Sequence, residues 1–205
     1  MVTHASGRHP IDAPGTDERT WTAWPWLSTL PGAGPIGLAG IRSAVIVAAH
    51  PDDEVLGAGG LISMLAASRA RLRLVAVTDG ERSHRGHASP APLARRRTAE
   101  TEAALRALGA RGAEVIRLKL PDGGLDGRPD ELAAALAPLV AGFDLCLAPW
   151  DQALRVPLAP RTVSRKRAAI TCFGSQTEDR GHGLGPVLTP GMIAHFTRTV
   201  EVLLP

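Results

Sequence analysis

Apolar and polar positions in this chain follow two periods, and each switch between them marks an element. Ser43 to Ala48 is a short, β-branched apolar run, the pattern of a parallel strand buried on both faces. Val55 to Ala70 has the length and apolar spacing of a helix. Arg71 to Val77 alternates and then turns apolar, which predicts a second strand ending at Thr78-Asp79-Gly80-Glu81. Leu93 to Leu108 predicts a helix closed by Gly109 at a C-cap position. Glu114 to Leu118 predicts a third strand, Pro121 to Gly124 a turn, and Pro129 to about Val140 another helix. Asp144 to Ala148 predicts a fourth strand, stopped by Pro149 and Trp150. Strands that alternate with helices imply a single layered, Rossmann-like α/β domain with a mostly parallel sheet.

Beyond Trp150 the rhythm breaks. Asp151 to Arg161 is Pro-punctuated and predicts coil. Thr162 to Phe173 predicts a basic amphipathic helix with the pattern of a solvated flank, and Gly174 to Pro190 a Gly-rich loop. Gly191 to Leu204 predicts a closing helix, or a helix followed by a strand. At the other end, Pro and Gly argue against regular structure through most of residues 1–40. That stretch reads as an irregular N-terminal segment ahead of the α/β domain at 41–205. Its tryptophans Trp21, Trp24 and Trp26 predict a segment pinned to the domain by aromatic burial.

Composition narrows the class. With 205 residues, 44% hydrophobic and 21% charged, the chain is long enough for one substantial core. The net charge of +3 is small and no block of five like charges occurs, so no nucleic-acid partner is expected. Cys146 and Cys172 lie in apolar segments and read as buried free thiols. No segment reaches the roughly 20 apolar residues of a membrane span, and no charged n-region precedes an apolar run at the N-terminus. The expected location is the cytoplasm.

The chemistry gathers where the first strand ends. Ala48-Ala-His50-Pro-Asp52-Asp53-Glu54 delivers one imidazole and three carboxylates to a carboxyl edge, the place where open α/β sheets bind ligands. His-x-x-Asp can place a ring nitrogen and a carboxylate on one metal, a mixture that zinc accepts. That leaves Asp52 free to act as a base toward water activated by the metal, a division of labour suited to amide hydrolysis. The plainer alternative, a helix cap, explains one Asp but not the whole cluster. Gly57, Gly59 and Gly60 follow the acidic cluster rather than the strand, which argues against a dinucleotide-binding loop.

The string AHPDDE after a first strand resembles the PIG-L/LmbE-like family of zinc-dependent N-deacetylases, which often act on N-acetylglucosamine-containing compounds. Thr78-Asp79-Gly80-Glu81, Arg97-x-x-Glu100 with Leu105 to Gly109, and Leu120-Pro-Asp122-Gly-Gly are similar to later family motifs in the same order. The resemblance covers about Ser43 to Trp150. It implies His50 and Asp53 as metal ligands, Asp52 as general base, and Arg97 and Asp122 as contacts to the sugar or its polar substituent. It also implies a Zn²⁺ cofactor and a small-molecule amino sugar or glycoconjugate as substrate.

One family element is missing. The third ligand, a His in an HPDH-type motif just after the fourth strand, has no counterpart, for no HxxH occurs in the sequence. An internal deletion near Trp150 and Asp151 accounts for this, leaving a fold truncated after the fourth strand. Asp151, which follows that strand, is the best substitute ligand; His84, His87 and His182 are others, while His195 reads as a core or surface residue. The alternative function is a catalytically impaired family remnant that binds a sugar-like ligand or a partner. A sheet cut short also leaves an open edge or apolar surface, from which self-association is expected.

Overall fold

The computed structural model of the chain describes residues 16–25, 29, 38, 40–83, 90–148, 154–181 and 184–203. Four strands form one parallel sheet: β1 (Ser43–Ala48), β2 (Arg71–Ala76), β3 (Glu114–Arg117) and β4 (Leu145–Leu147), in the order β3-β2-β1-β4. β1 pairs with β2 from Ser43↔Arg71 to Ala48↔Ala76, and on its other side with β4 from Ala44↔Leu145 to Ile46↔Leu147. All six β1 residues are buried, as a two-sided central strand requires.

The two faces of β1 meet different company. Ala44, Ile46 and Ala48 face a core built with α2 (Asp53–Ala67), α3 (Pro90–Leu108) and α5 (Pro160–Ile170). Val45 and Val47 join Val75 and Val77 under α4 (Pro129–Val140), whose Leu132, Leu136 and Leu139 are only partly buried. No residue of α4 is fully buried. Asp144 anchors β4 to the start of β1: its Oδ2 accepts hydrogen bonds from the backbone of Arg42 and Ser43 and from Ser43 Oγ.

The helices run close to their predicted bounds: α4 begins at the predicted Pro129, while α2, α3 and α5 begin two or three residues earlier than the apolar pattern suggests. Apart from Ala91, those extra positions are polar or Pro residues, which suit a helix start but not a core face. Three expectations are corrected. The Pro-punctuated stretch after residue 151 contains a strand, β5 (Leu154–Pro157), which pairs antiparallel with β6 (Val200–Leu203), a partner too remote for local pattern to reveal. The basic helix α5 is not a solvated flank, because Lys166 lies in the interior, 1% exposed. Cys146 is an exposed free thiol rather than a buried one, since β4 forms the sheet's edge, and Cys172 is half-buried.

Between α5 and β6 lie two short helices, α6 (Gly174–Thr177) and α7 (Pro190–Phe196). Of the N-terminal segment, residues 16–25 hold α1 (Glu18–Thr22). It is pinned chiefly by charge: Glu18 receives Arg198 Nε at 2.5 Å and Nη2 at 2.6 Å, and also contacts His195 Nδ1. Trp21 sets its ring against His195 with centroids 6.2 Å apart, while Trp24 stays 44% exposed; Trp26 lies outside the described residues.

Candidate active site

The strand order changes direction between β1 and β4, and the loop leaving β1 carries the acidic cluster. This is the crevice that an open parallel sheet offers to ligands. Asp53 opens α2 and its Oδ2 accepts the His50 backbone N–H at 2.9 Å, closing the turn between strand and helix. Asp52 occupies the N-cap position but makes no side-chain cap bond, so the capping explanation does not account for it. Its φ of 110° lies in the left-handed region, a strained conformation for a residue with a Cβ.

Five side chains singled out from sequence converge in one network. His50 Nδ1 stands 3.4 Å from Asp53 Oδ2, and His50 Nε2 stands 3.2 Å from Asp122 Oδ1. Asp122 Oδ2 accepts the Arg82 backbone N–H at 3.0 Å, while the Asp122 N–H donates to Glu81 Oε1 at 2.9 Å. Arg97 crosses from α3 and donates to Gly80 O, to Pro51 O and to Asp52 Oδ2. His50 and Asp53 are open to solvent, whereas Asp52, Asp122 and Arg97 lie beneath them.

Electrostatics separates the roles. The Asp122 carboxylate, then that of Asp53, holds the His50 imidazolium and raises its pKa to about 10. The same contact lowers Asp122 below its ordinary value. Burial raises Asp52 to about 7, with Arg97 opposing. Burial also raises Glu54 to about 8; its Oε2 accepts the Asp52 N–H at 3.1 Å. The result is a carboxylate poised near neutrality beside a rim of His and Asp, the separation of pKa values that acid–base chemistry uses.

Sequence reasoning assigned no role to Glu54, Gly80, Glu81 or Arg82. Glu54 and the Thr78–Glu81 motif were visible in it, but the contacts these residues make depend on how two loops meet. Asp151, His84, His87 and His182 lie outside the described residues, as does the junction at Trp150 where a deletion was inferred. His195 is tied to Glu18, away from this cluster. Among the described residues no three His, Cys, Asp or Glu side chains come together to hold a metal ion.

The donor chemistry nonetheless fits two coordination positions. Two ligands on one tetrahedral zinc, each about 2.0–2.1 Å away, stand roughly 3.4 Å apart. His50 Nδ1 and Asp53 Oδ2 have that separation. Asp122 serves the other ring nitrogen and so orients the imidazole rather than joining the pair, as carboxylate partners of metal-binding histidines do.

Fold and site together define an open parallel α/β domain with a His–carboxylate centre at the carboxyl edge of its sheet. The chain belongs to the PIG-L family, described as GlcNAc-PI de-N-acetylase, whose pattern matches residues 45–154, more than half of its length. No curated protein sequence matches it. Among solved structures it is similar to the zinc-inhibited form of the teicoplanin deacetylase Orf2, with TM-score 0.51 and 15% identity, over 66% of this chain and 85% of that one. It is also similar to the N,N'-diacetylchitobiose deacetylase from Pyrococcus horikoshii, with TM-score 0.45 and 22% identity over 76% of this chain. A third is GalB, the 4-carboxy-2-hydroxymuconate hydratase from Pseudomonas putida KT2440, with TM-score 0.43 and 24% identity, over 73% of this chain and 63% of that one. The chain spans 60% of the length of the chitobiose deacetylase. No helix among the described residues is long and apolar enough to cross a membrane.

Proposed function

We propose that this protein is a metal-dependent N-deacetylase that removes an acetyl or related acyl group from an amino sugar or glycoconjugate. The observation that carries the reading is the spacing of His50 Nδ1 and Asp53 Oδ2, 3.4 Å apart and open to solvent, with Asp52 recessed behind them. His50 and Asp53 are the metal ligands. A Zn²⁺ ion there supplies a Lewis acid that polarises an amide carbonyl and makes water acidic. Asp151, the first ionisable residue after β4, is the candidate third donor.

The remaining steps belong to the chain's own residues. Asp122 accepts the His50 Nε2 proton and so turns the Nδ1 lone pair toward the ligand side. Asp52 takes a proton from the attacking water and returns it to the departing amine, giving acetate and a free amino sugar. Each Asp122 oxygen has one partner in the protein and can accept a further hydrogen bond, so a contact to the sugar is compatible with this orienting role.

Zinc titration by calorimetry, with Asp53→Ala as control, tests the reading alongside amine release from N-acetylglucosaminyl compounds. Tight zinc binding and turnover, both lost in the control, are expected. No binding tighter than micromolar together with no released amine overturns it; sugar binding without turnover would favour the non-catalytic remnant. The same reading carries self-association at the open β4 edge, checked by whether sedimentation velocity finds species larger than the monomer.

A further inference from the structure

We infer that Glu54 is a positioning residue: by holding the Asp52 backbone in a left-handed turn, it keeps the Asp52 carboxylate from capping α2. The inference rests on the deacetylase reading of the site, in which that carboxylate moves the proton.

An Asp at an N-cap ordinarily has an extended backbone, and its carboxylate accepts an N–H from the first turn of the helix. Two other helices of this protein begin in that way. Asp17 caps α1 with φ −59° and accepts the Arg19 N–H at 2.8 Å. Thr189 caps α7 with φ −69° and accepts the Met192 N–H at 3.2 Å. Asp52 stands at the same position of α2, yet its φ is 110° and its side chain makes no cap bond.

Glu54 accounts for the difference. In a capping box the side chain of the cap and an acid three residues on bond each other's backbone N–H groups. Only half of such an exchange exists here, and the acid is one residue closer. Glu54 Oε2 accepts the Asp52 N–H at 3.1 Å, and nothing is returned. The Asp52 carbonyl is fixed separately, accepting the N–H groups of Val55 and Leu56, both at 2.9 Å. Its N–H is therefore the group through which φ is held.

Stability does not explain why this acid is kept. Glu54 is 2% exposed and its Oε1 has no partner among the described residues, a costly state for a buried carboxyl. What the bond secures is direction. The Asp52 carboxylate leaves the helix end and its Oδ2 meets Arg97 Nη2 at 3.1 Å, while the next carboxylate, Asp53, turns back to the His50 N–H. Two consecutive acids thus take different tasks. Displacing a reacting group by about 1 Å can lower turnover on the order of 100-fold, and that is the scale on which Glu54 acts.

The test compares Glu54→Leu, which fills the space without an acceptor, and Glu54→Gln, which keeps one, with the metal-loaded wild type. In Glu54→Leu kcat should fall about 100-fold with KM within about twofold, and Glu54→Gln should recover kcat to within about fivefold of wild type. Urea unfolding should find Glu54→Leu at least as stable as wild type, because a half-satisfied buried acid is gone and Asp52 is released to cap the helix. A Glu54→Leu protein destabilised in step with its lost activity overturns the inference. So does one that retains kcat, or a Glu54→Gln enzyme as poor as Glu54→Leu.

Crystal structures of the metal-free proteins separate this from failure of the deacetylase reading. In Glu54→Leu, Asp52 should take an ordinary negative φ and place its carboxylate on an N–H of the first turn of α2. An Asp52 still left-handed and off the helix end overturns the inference. If the wild type releases no amine yet the substitution swings Asp52 onto the helix, the reaction assignment fails and the positioning contact stands.

Discussion

Helix α2 is gripped by two buried cation–carboxylate pairs, one at its first turn and one near its middle, and they are built differently. At the middle, Lys166 Nζ meets Glu201 Oε1 at 2.7 Å and Leu56 O at 2.8 Å. Glu201 also accepts the backbone N–H groups of Gly60 and Leu61. Every polar atom of that carboxylate is occupied, and both side chains are about as buried as any in the protein. At the first turn, Asp52 faces Arg97 from a strained backbone, and Arg97 Nε and Glu54 Oε1 lack partners among the described residues. The satisfied pair fastens the C-terminal β6 to the back of the helix. The under-satisfied pair sits where chemistry is proposed, in keeping with the tendency of strain and perturbed carboxylates to collect at working sites.

Breaking the middle pair should therefore have the larger effect on stability. Lys166→Met leaves Glu201 charged, buried and without its cation, a change that costs about 3–5 kcal/mol in comparable settings. Burial lowers the Lys166 pKa, with Glu201 opposing, so the pair is held by contact rather than by any preference of lysine for the interior. Replacing both residues, in Lys166→Met with Glu201→Leu, should recover part of that loss without reaching wild type, because Gly60 and Leu61 lose an acceptor. Urea unfolding of the four proteins of the cycle measures the coupling. A single variant as stable as wild type would remove the structural half of the comparison.

Gly60 sharpens the same contrast from the helix side. A Cβ at position 60 would stand 2.5 Å from Leu158 Cδ2 and 2.8 Å from Glu201 Oε1. Gly60→Ala should therefore cost about 1–3 kcal/mol despite alanine's better helix propensity, since overpacking outweighs a gain of about 1 kcal/mol. Gly57→Ala provides the control on the same helix, because nothing lies within 4 Å of its Cβ position. It should be neutral or stabilising in the same unfolding measurement.

The two pairs were unequally legible in the sequence. The site end was visible because its chemistry is local: His50, Asp52, Asp53 and Glu54 fall within five residues after an apolar run that could only be a buried strand. Arg97 and Asp122 followed from their place in further motifs, and the structure brings both into the same network. Lys166 was unreadable because a basic helix looks solvated until its remote carboxylate is known, and Glu201 belongs to a strand 35 residues later. β5 was hidden for the same reason, its only strand partner among the described residues being β6. Charge pattern reports exposure only when the compensating charge is near in sequence.

The last expected effect comes from Asp52 itself and turns on the sign of its pKa shift. Burial raises the folded-state value from 3.8 to about 7, whereas the unfolded chain keeps an ordinary carboxyl group. Between those values the folded protein binds the proton more tightly, so ionisation works against folding. The stability associated with this group is fully present below pH 3.8 and is lost as pH rises through about 7. Asp52→Asn cannot ionise, so the wild type should lose stability relative to the variant across that window, and the difference should level off above it. Glu54 titrates in both proteins and largely cancels in the comparison. Thermal melts in chelator, taken in steps from pH 4 to pH 8, would measure the difference. The variant should also lose amine release, so that one substitution raises stability at neutral pH while abolishing activity. A flat difference across the window would mean that Asp52 is not the strained, burial-shifted member of the two pairs.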